Sequence, residues 1–256
     1  MKTLTAFVKK DFKEQFRSGK LAFILIIFTA VGIMNPAVAK LTPWLLEIFA
    51  DSLAESGMTI TAVTVTAMDS WVQFFKNMPI ALIAFALLEG SILTSEYSSG
   101  TLVLSLTKGL ERFKVVISKT AILTLLWSVC YWLCFGITYF YSGYFWDNSI
   151  AKNLLFSALC YWIFGIFTVA LIILFSVISN SNTGVLLGGG AVALASVMLG
   201  MIPKLEKVLP TKLADGNSLI YGIQDTKEYL AALIVTLSLS AICFAVSIPI
   251  FNKKQI

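Results

Sequence analysis

Glu89 has the clearest chemical meaning in the sequence, because it is a carboxylate set in the apolar run 77–95. A charge inside a membrane span is costly unless it lies near an interface or meets a partner, so by default it points to function. Glu96 follows seven residues later on the same helix face, which puts Glu89 near the end of the run, within reach of Lys119 or a polar cavity. We read a structural ion pair or a snorkelled carboxylate there, ahead of a proton relay or a substrate contact. An enzyme would need more. The chain has no histidine, the commonest general base and metal ligand. It has no GxSxG elbow, and its acidic residues do not pair within the apolar runs. Gly188, Gly189 and Gly190 lack the Lys-Ser/Thr ending of a phosphate loop. With Gly184 they give instead a GxxxG spacing that lets helices approach closely. Cys130, Cys134, Cys160 and Cys243 all fall within apolar runs and read as small apolar side chains, with neither disulfide nor metal expected. Glu47, Asp51 and Glu55 recur every four residues and form an acidic stripe that could attract a cationic substrate, although such rows are usually solvated faces. No catalytic, cofactor-binding or metal-ligating residue is expected.

The elements that must position these residues follow from the hydropathy. Of 256 residues, 58% are hydrophobic and 13% charged, against about 45–50% and 25% in globular chains. The apolar residues fall in blocks long enough to cross about 30 Å of hydrocarbon. The expectation is an all-α integral membrane protein, a single transmembrane domain over 1–256, with spans at about 21–39, 77–95, 115–141, 153–178, 184–202 and 229–251. The first block is too long for a cleavable signal and reads as a retained anchor. Six spans put both termini on one side, and most of the 19 basic residues fall on that side, which makes it the cytoplasm. Residues 3–20 read as an amphipathic interfacial helix, with Leu4, Phe7, Val8, Phe12 and Phe16 on one face and Lys9, Lys10, Lys13, Glu14 and Arg17 on the other. Pro43 is expected to start a separate short helix carrying Trp44, Leu45, Ile48, Phe49 and Leu53. Trp71, Phe74 and Phe75 read as an interfacial patch before the second span.

The connection after the second span carries a recognisable pattern. Glu96, Tyr97, Ser98, Ser99, Gly100, Thr101 and Leu102, then Leu104 to Lys108, Arg112, Ser118 and Lys119, resemble the inner loop of bacterial type 2 ABC exporter permeases. Asp69, Ser70 and Trp71, with Gln73, Lys76 and Asn77, match a weaker upstream pattern of such permeases. Where many relatives have Pro-Val-Ser-Arg, this chain has Lys108, Gly109, Leu110, Glu111 and Arg112, so that only the arginine matches.

The resemblance implies a short cytoplasmic coupling helix between spans two and three. Glu96, Gly100, Thr101, Leu102, Leu104, Leu106, Lys108 and Arg112 would couple the chain to an ATPase. Gly100 would allow a sharp turn and Thr101 would cap the helix. It further implies cytoplasmic ABC ATPase subunits as partners, which would hold ATP and Mg, with no cofactor in this chain. A second permease copy or a related permease would complete the pathway within the lipid of the bacterial cytoplasmic membrane, and no nucleic acid is involved. Residues 203–228 match the hairpin that dips into the outer leaflet in such permeases. The cargo would be an amphipathic or hydrophobic peptide, lipid or drug, with Trp127, Tyr131, Trp132, Tyr161 and Trp162 as candidate lining. Few buried charges are expected, which argues against a small inorganic ion. The alternative reading is a stand-alone membrane binding, immunity or sensory protein.

Overall fold

A computed structural model describes residues 2–48, 64–107, 109 and 111–254. Among these the chain is all-helical: α1 (Lys2–Arg17), α2 (Lys20–Ile48), α3 (Ala67–Glu89), α4 (Thr94–Ser98), α5 (Thr101–Thr107), α6 (Arg112–Phe145), α7 (Leu154–Ile178), α8 (Asn182–Gly200), α9 (Pro203–Glu206), α10 (Gly216–Ile220) and α11 (Leu230–Lys253). Short 3₁₀ turns lie at Asn148–Ile150, Pro210–Ala214 and Thr226–Tyr229. Six helices are long and apolar enough to cross a bilayer, namely α2, α3 with α4, α6, α7, α8 and α11. The 34 residues of α6 reach about 50 Å at 1.5 Å per residue, so this helix must tilt or project beyond a bilayer of ordinary thickness.

Several sequence expectations change. No separate helix begins at Pro43, because α2 runs unbroken through both Pro36 and Pro43. In an apolar surround, an interrupted helix would leave backbone groups unpaired, and the continuous helix keeps that loss local. The Thr42 hydroxyl also donates to the Val38 carbonyl (2.8 Å), satisfying an acceptor next to the second proline. Of the acidic stripe, Asp51 and Glu55 lie outside the described residues, as do Phe49 and Leu53. The second span starts ten residues earlier than 77. Thr66 and Asp69 close a capping box at its head, which supplies acceptors to otherwise unpaired N–H groups. Trp71, Phe74 and Phe75 therefore sit inside α3 and are buried. They pack edge-on to one another and against Phe135 and Tyr131 of α6.

The core runs along α2, α3, α6 and α7 and is unusually aromatic. Trp127 is fully buried, with Phe28 and Phe85 edge-on to its indole. Tyr131 stacks on Tyr161. Three polar ring ends are placed on backbone or hydroxyl groups: Tyr131 Oη donates to the Ala158 carbonyl (2.8 Å), Trp127 Nε1 to the Trp162 carbonyl (3.0 Å) and Trp162 Nε1 to Ser128 Oγ (3.0 Å), while Tyr161 Oη has no hydrogen-bond partner among the described residues. Trp127, Tyr131 and Tyr161 are thus packed core within this chain, while Trp132 and Trp162 are half-buried. Helix α7 is the most enclosed of the six and α8 the least, with Val185 the buried residue of α8. Gly188 is where α8 meets α7, since a Cβ there would lie 2.3 Å from the Phe175 ring. Added carbons at Gly189 and Gly190 would meet nothing within 4 Å. The GxxxG pair therefore works through Gly188 on one face only.

Gly165 of α7 lies against the flat of Trp127, and a Cβ there would fall 2.0 Å from the indole. Indole and helix cannot both hold their places around a larger side chain. Gly165→Val is expected to destabilise the fold by about 1–3 kcal/mol, the usual cost of overpacking. Thermal unfolding in detergent micelles checks this; an unchanged midpoint would show that the Trp127 stack is not fixed.

Candidate functional site

The site is built at the end of the bundle that carries α1, α4, α5 and the C-terminal end of α11. Helix α1 packs with Phe7, Asp11 and Gln15 inward, a row at i, i+4 and i+8. Its exposed side holds Lys9, Phe12, Lys13, Phe16 and Arg17. Behind the row, Lys119 of α6 is buried to 2% and bridges two carboxylates: Nζ lies 3.1 Å from Asp11 Oδ1 and 3.0 Å from Glu96 Oε1 of α4. Lys10 reaches the same Glu96 oxygen at 2.9 Å. Ser118 Oγ donates to Asp11 Oδ2 at 3.2 Å. One helical turn along α1, Gln15 Nε2 donates to Glu89 Oε2 at 2.7 Å. Lys20 Nζ, at the head of α2, donates to Ser91 Oγ at 3.1 Å. Helix α1 is therefore fastened through buried polar side chains to α3, α4 and α6.

Electrostatics explains why these groups gather. Burial pushes the Asp11 carboxyl above its usual range, while the Lys119 charge beside it pulls the other way. For Lys10, burial acts downward, but the hydrogen bond and charge of Glu96 outweigh it and leave the ammonium above its ordinary value. Oxygens of Asp11, Glu14 and Glu96 converge within 4.8 Å of one another, a spacing that suits a cation. The Lys10 ammonium already stands among them, 3.8, 3.9 and 2.9 Å from the three. A small cavity of about 50 Å³ opens beside Gln15, Ser95 and Lys119. The buried Glu89 Oε1 and Gln15 Oε1 have no hydrogen-bond partner among the described residues.

Helix α5 projects from this block between two glycines in the left-handed region, Gly100 (φ +67°) and Gly109 (φ +87°). A side chain would strain either turn. Thr101 is the first helical residue, and its hydroxyl shares a 2.9 Å hydrogen bond with that of Ser99. It does not occupy the position before the helix; there the Gly100 carbonyl accepts from the Leu104 N–H.

The short helix divides cleanly. Leu102 is fully buried and belongs to the core, Leu106 is half-buried, and Leu104 is 62% exposed beside Val103 at 42%. Thr101 and Thr107 are exposed with them. Lys108 lies outside the described residues. Arg112 faces inward: Nη1 donates to the carbonyls of Phe251 and Asn252 (3.2 Å each) and to that of Lys254, closing the C-terminus of α11. Lys254 Nζ in turn donates to the Val177 and Ser179 carbonyls (2.6 and 3.3 Å) and lies 4.3 Å over the Tyr97 ring.

The expectation of few buried charges does not hold. Asp11, Glu89, Glu96 and Lys119 are all buried at this end, and Lys212 at the other. Glu96 and Arg112 are engaged within the chain, while Val103, absent from the expected contact set, stands in the open beside Leu104. Asp11 and Gln15 were also absent from it. Their signal was present: both fall in the Phe7 row of α1, where an interfacial helix would carry apolar residues.

The described residues form an all-helical bundle in which six helices are long and apolar enough to cross a membrane, with a short helix held out on a braced polar block. The family model for ABC-2 family transporter proteins matches residues 5–234. The chain belongs to that family and is a permease component of an ABC transporter, a class that works with ABC ATPase partners. It is also 24% identical over 218 residues, 83% of each chain, to the uncharacterized transmembrane protein YxlG of Bacillus subtilis (strain 168).

Removing Lys119 takes the buried cation away from two buried carboxylates, leaving Glu96 with the half-exposed Lys10 and Asp11 with only the Ser118 hydroxyl at hydrogen-bond distance. Lys119→Met is expected to destabilise the protein by about 3–5 kcal/mol, the scale for a broken buried pair. The triple variant Asp11→Asn, Glu96→Gln, Lys119→Met is expected to recover much of that loss. Unfolding in micelles measures both, and a single variant as stable as wild type would show that the bridge does not form.

Proposed function

We propose that the chain is the membrane subunit of an ATP-driven exporter, working with a second permease copy or a related permease and with two cytoplasmic ATPase subunits. The end bearing α1 and α5 faces the cytoplasm, both termini with it, in the bacterial cytoplasmic membrane. The bias of basic residues towards that end supports this orientation. ATP and Mg are held by the ATPase partner, and this chain supplies no cofactor site. The cargo is an amphipathic or hydrophobic peptide, lipid or drug carried out of the cytoplasm or the inner leaflet.

The observation that carries this reading is the division of α5. Leu104 and Val103 are held out as an apolar knob of the kind that fills a groove on a partner. Leu102 roots the helix in the core, and the Glu96–Lys119–Asp11 bridge behind it passes any displacement to α6 and α1. Glu96, Gly100, Thr101, Leu102 and Arg112 thus build and brace the coupling element, while Leu104, flanked by Val103 and Thr107, makes the contact. Leu106 and Lys108 complete the coupling set. ATP-driven closure of the ATPases can shift the permease between states only if this contact differs between them. Glu89 serves as a structural anchor for α1 through Gln15 rather than as a substrate ligand.

The test is co-purification of the tagged chain from its native membrane in mild detergent. An ATPase partner is expected at stoichiometric yield. Leu104→Asp is expected to weaken that association by about 30-fold, as for an interfacial hot spot, with the unfolding midpoint unchanged. Leu102→Asp is expected to lower the midpoint itself. A chain that purifies alone would favour a stand-alone binding or sensory protein, and an ATPase retained by Leu104→Asp would overturn the assignment of the contact to the tip of α5.

A further inference from the structure

The other end of the bundle carries a second feature that the transport reading does not use. Where α6 turns into α7, an open recess of about 840 Å³ is lined by residues that include Tyr139, Phe140, Tyr144, Trp146, Asp147 and Leu155. This volume falls within the range of small-molecule sites. The recess is preformed. Asn148 accepts from Trp71 Nε1 (3.0 Å) and donates to the Tyr139 carbonyl (2.9 Å), pinning the turn to both α3 and α6. Gly143 leaves room for that turn, since a Cβ there would press to 3.1 Å on the Asn148 amide. Phe140 and Tyr144 are 77% and 81% exposed, so their faces are open to an incoming molecule.

We propose that this recess binds an amphipathic organic cation, whose charge lies against the aromatic faces and Asp147 and whose apolar part lies on Phe140 and Leu155. Aromatic faces attract cations through the ring quadrupole, and more strongly where water is thinned. Asp147 supplies the matching full charge and forms no ion pair among the described residues. Its carboxylate is steadied in the anionic form by the Ser149 hydroxyl (2.6 Å) and backbone N–H (2.9 Å), which hold its pKa below the ordinary carboxylate value. An interfacial belt would account for tyrosine and tryptophan at this depth. It does not account for a concave recess with a pinned rim and a carboxylate lacking a cationic partner. The proposal concerns binding alone and does not rest on the coupling role of α5.

The experiment uses the full chain in micelles and two probes of the same shape and opposite charge, tetraphenylphosphonium and tetraphenylborate, with binding measured by equilibrium dialysis against empty micelles. Saturable binding of the phosphonium is expected, and none of the borate. Asp147→Asn should weaken phosphonium binding by about fivefold, the scale of a solvent-exposed charge contact. The double variant Phe140→Ala, Tyr144→Ala should abolish saturation, with an unfolding midpoint equal to that of wild type showing that loss of the ring contacts to Tyr139 and Phe145 has not undone the fold. Equal binding of the two ions, or an Asp147→Asn chain that binds as wild type, would reduce the recess to an interfacial aromatic belt. Displacement of the phosphonium by phosphatidylcholine but not by phosphatidylglycerol would support the proposal, with the choline of a lipid headgroup as the source of the cation.

Discussion

The ammonium of Lys119 cannot be withdrawn from water unless carboxylates come with it, and much of one end of the molecule is arranged around that requirement. Desolvating a charge costs several kcal/mol, which only close, well-oriented partners offset. Those partners lie on two other helices, Asp11 on α1 and Glu96 on α4. If α1 undocked, Lys119 and Glu96 would be left with less than one full set of partners in an apolar setting. A helix too polar to cross a bilayer is thereby made part of the membrane domain. Such a bridge adds little net stability compared with an apolar replacement, but it discriminates strongly between one arrangement and its neighbours. That is the property needed where a displacement has to be passed on rather than absorbed.

The same logic governs the rest of the bundle. Between helices in lipid there is no hydrophobic driving force, so packing shape and polar pins decide which faces meet. Away from the charged end, Asn77 Nδ2 donates to Asn35 Oδ1 (2.9 Å), Asn35 Nδ2 to Thr138 Oγ1 (3.2 Å), and Thr138 Oγ1 to the Gly32 carbonyl (3.0 Å). This chain joins α2, α3 and α6. Gly32 permits it, because a Cβ there would stand 3.0 Å from the Cys134 carbonyl. Between the two pinned ends lies the aromatic stack around Trp127, so α2, α3, α6 and α7 have little freedom to slide. Helix α8 has none of these pins. It is held chiefly at Gly188 and Val185, and it is the element least committed to the rest of the chain.

Hydropathy made the six spans legible because each is long and apolar, and that signal survives any detail of packing. Boundaries were less legible where two rules competed. Pro43 normally marks a helix start, yet in α2 the cost of free backbone groups in an apolar setting won. Trp71, Phe74 and Phe75 have the composition of an interface, but the capping box at Thr66 and Asp69 draws them inside α3. The candidate site was half legible. The pattern from Glu96 to Leu102 located the projecting helix, while burial decided which leucine faces out, and burial depends on where α1 docks. Asp11 and Gln15 show the limit most clearly. Their place in the Phe7 row marks them as out of pattern on an interfacial helix, but the buried charges and hydroxyl they meet on α3 and α6 are set by docking and not by the row.

The family pattern therefore does not mark a contact surface residue by residue. Glu96 is spent on Lys119 and Lys10. Gly100 supplies a turn that a side chain would strain, and Leu102 is rooted in the core. Arg112 closes the end of α11, three residues after Gly109, the second of the two glycines that flank α5. What these residues have in common is that each makes α5 stiff with respect to the helices behind it. A short helix of seven residues has little stability of its own, so one that receives force must borrow its rigidity. The residues that lend it need a fixed chemistry, since each has a single partner to satisfy. Leu104 and Val103 are exposed, and in the proposed coupling role they have only to fit a partner's groove, which many apolar side chains could do. Under the proposed coupling role, the motif records how α5 is mounted, and the fit to a partner is carried by the less distinctive residues at its tip.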